Sequence, residues 1–344
     1  MKSESKPLNS LKFGWFLVAL LSILALFGSS RGQGVSNVES VGFTVSDMDE
    51  ALDFYTRILP FEKVSEVEVW GHEFERLSGV FGARVRIVRL RLGSETLELT
   101  EYLTPQGRPI PVDSRSNDRW FQHIAIIVSD MDKAYALLRA NKVRHASTAP
   151  QTLPAYITAA AGIKAFYFKD IDDHVLEILQ FPQGKGLQKW HDLEKSGRLF
   201  LGIDHTAIVV GDTDASLKFY EQRLGLAVAG TSVNYGNEQE HLNNVFGAKL
   251  HITGLKTKQD GIAVEFLEYI APADGRPYPK DSKSNDIWHW QTSFDAGGFE
   301  SLLTGYRTGF ISSGSVLFGN GQLGFRKAAL IRDPDGHAVR LTER

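Results

Sequence analysis

The stretch DSRSNDRWFQH, Asp113–His123, returns 168 residues later as DSKSNDIWHWQ, Asp281–Gln291. No other feature constrains the fold as strongly, because the echo is part of a longer repeat. SVGFTVSDMDEALDFYTRILPF (Ser40–Phe61) matches HTAIVVGDTDASLKFYEQRLGL (His205–Leu226), and VFGARVRI (Val80–Ile87) matches VFGAKLHI (Val245–Ile252). The chain therefore divides into two homologous halves, 35–183 and 203–344, joined by a glycine-bearing linker of mixed charge at 184–202.

Each half also repeats internally. HIAIIVSDMDKAYALLRAN (His123–Asn141) restates the opening of its own half: an apolar strand, an acidic cap and an amphipathic helix. Asp47 or Asp49 suits the N-cap, where a carboxylate accepts the free amide hydrogens of the first turn. Met48, Ala51, Leu52, Tyr55, Ile58 and Leu59 follow at helical spacing. Short alternating strands such as ARVRIVRLRL and ETLELTEYL complete the module. The order strand, helix, then three strands recurs four times, which predicts an α+β fold of four βαβββ modules. One module cannot close a core alone. The expectation is that the two modules of each half pair into a curved, barrel-like mixed sheet with helices outside.

The composition narrows the chemistry. A formal charge of −3 gives no reason to expect nucleic acid or an anionic membrane as the main partner. With no cysteine, disulfides, thiolate nucleophiles and Cys-rich zinc sites are excluded, so any metal must be held by His, Asp, Glu, Gln or water. Lys2, Lys6 and Lys12 precede an apolar run, Phe13–Gly28, and then small polar residues. That basic–apolar–small layout predicts that 1–34 is a secretory signal. The alternative is an uncleaved anchor through residues 13–28, which would be the chain's membrane contact. GNGQLG (Gly319–Gly324) fits a dinucleotide fingerprint but runs into a strand and turn instead of opening a helix, so it carries no nucleotide site.

The modules resemble the vicinal oxygen chelate superfamily, which includes glyoxalase I, extradiol dioxygenases and bleomycin-resistance proteins. The residues carrying the resemblance are VGFTVSDMDEALDFY, its copy HTAIVVGDTDASLKFY, and the closing DPDGHAVRL (Asp333–Leu341). The resemblance implies one divalent metal (Zn, Ni, Fe, Mn or Co) in a cavity between paired modules. Its ligands would come from the first and last strand of each module. Carried over by position, the first half offers Ser40, Glu98, His123 and Glu177, and the second His205, Glu265, Gln291 and Arg340. With pairing inside each half, the expected metal set is Glu98, His123 and Glu177. The set His205, Glu265 and Gln291 stands as a lesser second site, with His289 as a substitute. Arg340 would repel a cation there and pair with Glu265. A neutral hydroxyl makes Ser40 a poor ligand. For Arg108 and Arg276 the favoured reading is structural, within the turns between modules.

These expectations converge on an exported, glyoxalase-like metalloenzyme for a small oxygenated substrate, with lyase- or isomerase-type proton transfer and Glu177 as ligand and base. The rival is a metal-free protein that binds and sequesters a small molecule. Extradiol cleavage is disfavoured, since two histidines and a carboxylate do not meet within either half. Glutathione-dependent chemistry is disfavoured by export.

Overall fold

Alternating apolar and polar residues build strands with one face for the core and one for a cavity. In the computed structural model, residues 34–306, 309–319 and 321–344 are described. The N-terminal apolar segment, with the export or anchoring expected of it, lies outside them. Module 1 contains β1 (Gly34–Val45), β2 (Glu62–Trp70), β3 (Arg84–Leu92) and β4 (Glu95–Thr104). Module 2 contains β5 (Gln122–Val128), the two-residue β6 (Arg144–His145) and β7 (Gln151–Thr152), β8 (Lys164–Lys169) and β9 (Val175–Gln180). Module 3 contains β10 (Phe200–Val210), β11 (Ala227–Asn234), β12 (Lys249–Lys256) and β13 (Ala263–Ala271). Module 4 contains β14 (Trp290–Gly297), β15 (Val316–Leu317), β16 (Lys327–Arg332) and β17 (Ala338–Glu343).

In modules 1 to 3 the helix after the opening strand begins at an acidic cap, while in module 4 it follows Gly298 with no side-chain cap. Asp47 accepts the amides of Asp49 and Glu50 at 2.9 and 3.0 Å. Asp130 caps Lys133 at 3.0 Å and Asp212 caps Ala215 at 2.9 Å. In modules 1 and 3 the helix widens into a π-helical turn, Phe54–Ile58 and Lys218–Arg223. Buried tyrosines on those turns tie the modules of one half together: Tyr55 donates to Asp170 at 2.9 Å and Tyr220 to Asp333 at 3.2 Å.

The sheets join modules in a different way. Among the described residues, one sheet has eight strands in the order β15-β16-β17-β14-β1-β4-β3-β2. The other has nine, with β11-β12-β13-β10-β5-β9-β8-β6 in line and β7 beside β8. The four modules and the two curved mixed sheets are as expected, but module 1 pairs with module 4, and module 2 with module 3. β1 lies antiparallel to β14 with Gly42 opposite Gln291, and β10 lies antiparallel to β5 with Ala207 opposite His123. Each closing strand runs parallel to its own opening strand, which sets Glu98 beside Gly42, Glu177 beside Ala125 and Glu265 beside Ala207.

The repeated frame that opened the sequence explains this exchange. The connectors between modules 1 and 2 and between modules 3 and 4 lock onto each other. Arg108 forks onto Asp286 at 2.7 and 3.0 Å and reaches Asp281 at 2.7 Å. Arg276 does the same to Asp118 at 2.7 and 3.0 Å and to Asp113 at 2.9 Å. Each guanidinium also lies over a tryptophan of the opposite connector, Trp288 or Trp120, at 4.7 Å. A Cβ on Gly107 or Gly275 would fall 1.9 Å from the Asn285 or Asn117 carbonyl oxygen, so only glycine admits the crossing. The conserved spelling of the two connectors is therefore a self-complementary clasp. One apolar cluster, containing Val41, Phe43, Ile126, Ile208, Phe266 and Phe294, draws on both sheets.

Candidate metal centre

The pairing of modules 2 and 3 sets β5 against β10, and one face of that sheet gathers four side chains with ligating atoms. His123 comes from β5, Glu177 from β9, His205 from β10 and Glu265 from β13. One ligating atom each from His123, Glu177 and His205 lies within a 4.8 Å group. Glu177 Oε2 is 3.3 Å from His123 Nε2 and 3.7 Å from His205 Nε2, while Glu265 Oε2 is 3.6 Å from His205 Nε2. His123 is fully buried, and neither of its ring nitrogens makes a hydrogen bond. Buried polar atoms are rarely left this way without a partner outside the chain.

A β-bulge shapes the other histidine. The register between β10 and β5 shifts between Ile203 and His205, and the extra residue is Asp204. Asp204 Oδ2 holds His205 Nδ1 at 3.0 Å, and its other oxygen accepts from Trp190 Nε1 at 2.6 Å. A carboxylate on one ring nitrogen leaves the opposite one, Nε2, to face the cluster, the arrangement that orients metal-bound imidazoles. Trp190 is buried and belongs to the helix Gln188–Glu194, inside the segment expected to be a plain linker.

The electrostatics favour positive charge between these carboxylates. Burial works against protonating His205, but Glu265, Asp204 and Glu177 outweigh it and raise its pKa to about 10. Burial pushes the Glu265 carboxyl up, aided by Glu177 and Asp204 and opposed by His205. For His123, burial outweighs Glu177 and lowers the pKa, favouring the neutral imidazole with one ring nitrogen's lone pair available. Two imidazoles and a carboxylate suit a borderline first-row divalent ion. The residues present therefore fit a metal held by His123, Glu177 and His205, with Glu265 beside His205. Glu177, His205 and Glu265 open onto a cavity of about 350 Å³, whose other walls include Ala165, Leu179, Phe181, Asn234 and Gln239.

The other sheet carries the remaining expected residues in the equivalent places. Glu98 does not join His123 and Glu177, because β4 lies in the sheet of β14 and β17. Its carboxylate instead receives Arg340 at 2.6 and 3.1 Å and Arg89 at 3.1 Å. Gln291 likewise leaves His205 and Glu265 and approaches Glu98 at 3.4 Å. Arg340 pairs with Glu98 and not with Glu265. Ser40 is buried in this sheet with its hydroxyl unpartnered, and His289 is buried with its pKa lowered to about 3 by burial and by Arg332. Burial opposes ionisation of Glu98, yet Arg340 and Arg89 hold its pKa at about 2. Only about 30 Å³ of cavity is left here. A guanidinium stands where the first sheet presents Glu177, so this face does not fit a cation.

The expected residues lie on the opening and closing strands of their modules, and their grouping changes with the pairing of the modules. Asp204 and Trp190 escaped the sequence reading. The available signal for Asp204 was the acid at the matching place of the first half, Glu39, directly before Ser40.

Paired βαβββ modules with a buried His-Glu-His cluster on one sheet define the class of scaffold. The family model described as Glyoxalase/Bleomycin resistance protein/Dioxygenase superfamily matches residues 37–178 and again 202–341, and the chain belongs to that superfamily. A 2-epi-5-epi-valiolone epimerase from Actinomyces sp. is 34% identical over 156 residues, spanning 44% of this chain and 82% of the relative. Glyoxalase I from Zea mays superposes with a TM-score of 0.57 at 16% identity, covering 90% of this chain and 92% of that one. A putative dioxygenase from Bacillus subtilis reaches a TM-score of 0.54 at 10% identity, covering 91% and 86% of the two chains. The last two likenesses concern the fold alone.

Proposed function

We propose that the protein is a metal-dependent isomerase that epimerises a carbon next to a carbonyl group in a small oxygenated substrate. The observation that carries this reading is the convergence of His123, Glu177, His205 and Glu265 on one cavity. The 34% identity to an epimerase supports the reaction class. When bound, a divalent cation would supply Lewis-acid polarisation of a carbonyl oxygen.

The two carboxylates divide the proton transfer. Glu177 removes the proton from the carbon beside the carbonyl, and the electron pair of that bond moves to the carbonyl oxygen, giving an enediolate. Glu265, from the equivalent strand of the partner module, returns a proton to the opposite face and inverts the centre. Burial raises the proton affinity of Glu265, the direction that suits a proton carrier. The apolar wall of Ala165, Leu179 and Phe181 limits water around the intermediate. Solvent exchange then restores both carboxyls, and no net atoms are gained or lost.

A second reading has a specific observation behind it. The objection to extradiol cleavage was that two histidines and a carboxylate do not meet, and His123, His205 and Glu177 do meet. The 34% identity to an epimerase argues against it. The full chain, with metal, is to be incubated with an α-hydroxyketone in D₂O. Chelator-sensitive deuterium uptake at the carbon beside the carbonyl is the expected result. Oxygen consumption with a catechol, and no deuterium uptake, would replace isomerase by dioxygenase. Export or anchoring through residues 13–28 remains part of the proposal, with a small molecule as the partner; fractionation of the expressing cell tests it.

A further inference from the structure

The cavity beside the metal centre has one wall that the fold does not require to be polar. NYGNEQEHLNNVFGA (Asn234–Ala248) aligns with VWGHEFERLSGVFGA (Val69–Ala83) in module 1. There the matching residues Val69 and Phe74 are buried and belong to an apolar cluster. In module 3 the same positions are Asn234 and Gln239, which are 3% and 2% exposed and line the cavity. An equivalent scaffold thus packs with hydrocarbon where no metal fits, and with amides where one does. Burying amides in place of Val and Phe weakens a core unless they bind something.

The amides are also pre-arranged. Ser232 Oγ donates to Asn234 Oδ1 at 2.9 Å, and Asn234 Nδ2 donates to Gln239 Oε1 at 3.0 Å. Gln239 Nε2 in turn donates to Asn243 Oδ1. These bonds fix the direction of the whole row and consume one hydrogen on each amide nitrogen, leaving the second on Asn234 and Gln239 for a ligand oxygen. Ser232 and Thr231 extend the same wall along β11.

We propose that Ser232, Asn234 and Gln239 form a hydroxyl-recognition strip, and that the substrate is a polyhydroxylated ketone whose further hydroxyls lie against it. This rests on the isomerase reading for the site's chemistry, but it concerns recognition, and the two separate experimentally. A site built to bond hydroxyls discriminates strongly against an analogue lacking them, because its buried polar groups are then left unpaired.

The test is calorimetric binding to the metal-loaded full chain of two probes, scyllo-inosose, a ring ketone with hydroxyls on every other carbon, and 2-hydroxycyclohexanone. The wild type should bind the inosose at least about tenfold more tightly, and Asn234→Leu and Gln239→Met should each bring that ratio down by about five- to tenfold. Ser232→Ala, at a half-buried strand position, should lower it by a smaller factor and covers the case in which an amide variant fails to fold. A wild type that does not prefer the inosose overturns the strip, as does a preference that survives in all folded variants. Deuterium uptake on the same probes judges the other reading. A preference without uptake keeps the strip and removes the isomerase, and uptake without a preference does the reverse.

Discussion

The two concave faces of this molecule hold the same four positions and come to opposite electrostatic solutions. Sheet β5/β10 presents His123, Glu177, His205 and Glu265, with both ring nitrogens of His123 unpartnered. Sheet β1/β14 presents Gln291, Arg340, Ser40 and Glu98, where the guanidinium takes the place of a cation and neutralises the glutamate internally. Even the bulge acid is redirected. Asp204 orients a histidine, whereas its counterpart Glu39 bonds Thr342 at 3.0 Å and Arg344 at 2.8 Å. Duplication has left one cavity whose residues fit a cation and one whose carboxylate is neutralised by arginine from within.

The comparison can be broken by substitutions on either side. Glu177→Gln should lower deuterium uptake by about 10²–10⁴-fold, the usual contribution of a positioned base. Uptake that survives within a factor of about ten would remove Glu177 from that role. On the other face, Arg340→Met strands a buried carboxylate and should destabilise the fold by about 3–5 kcal/mol in urea unfolding. Glu98→Leu combined with Arg340→Met should regain most of that loss. Were both variants as stable as the wild type, the guanidinium would not be the internal cation.

The Glu98 pKa gives the same claim a pH signature. Its carboxyl is lowered from 4.5 to about 2, so the extra stability is present above pH 4.5 and disappears as pH falls toward 2. Two and a half pH units correspond to about 3 kcal/mol. Acid unfolding of Glu98→Gln should lack that component, and identical acid limbs for the two proteins would contradict it. The smallest expected effect belongs to the bulge. Asp204→Asn should weaken metal affinity by about 10–100-fold, as loss of an orienting carboxylate generally does. Competition with a coloured chelator measures it, and an unchanged affinity would leave Asp204 a purely structural residue.

Much of this architecture was legible in the sequence. The repeats marked four modules, Asp47 and the acidic cap of the second module marked helix starts, and the opening and closing strands marked the candidate site residues. The grouping of those positions was not legible, because connectors of similar length and spelling permit either pairing. The usual preference for sequential elements to pack together favoured the wrong one. What decides is the clasp of Arg108 on Asp286 and Arg276 on Asp118, a contact between segments more than 150 residues apart. Arg340 was recognisable as the residue that repels a metal, but its partner could be named only once β17 was seen beside β14. Asp204 and Trp190 depend on a bulge and on a helix within the linker, neither of which alternation reveals.

Metal stoichiometry of the full chain, purified without chelator, tests the central claim most directly when repeated on His123→Ala, His205→Ala and Glu98→Gln. One ion per chain is expected, lost in both histidine variants although they lie in different halves, and retained in Glu98→Gln. Two ions per chain would contradict a single centre shared by modules 2 and 3. So would an ion that survives His205→Ala and disappears with Glu98.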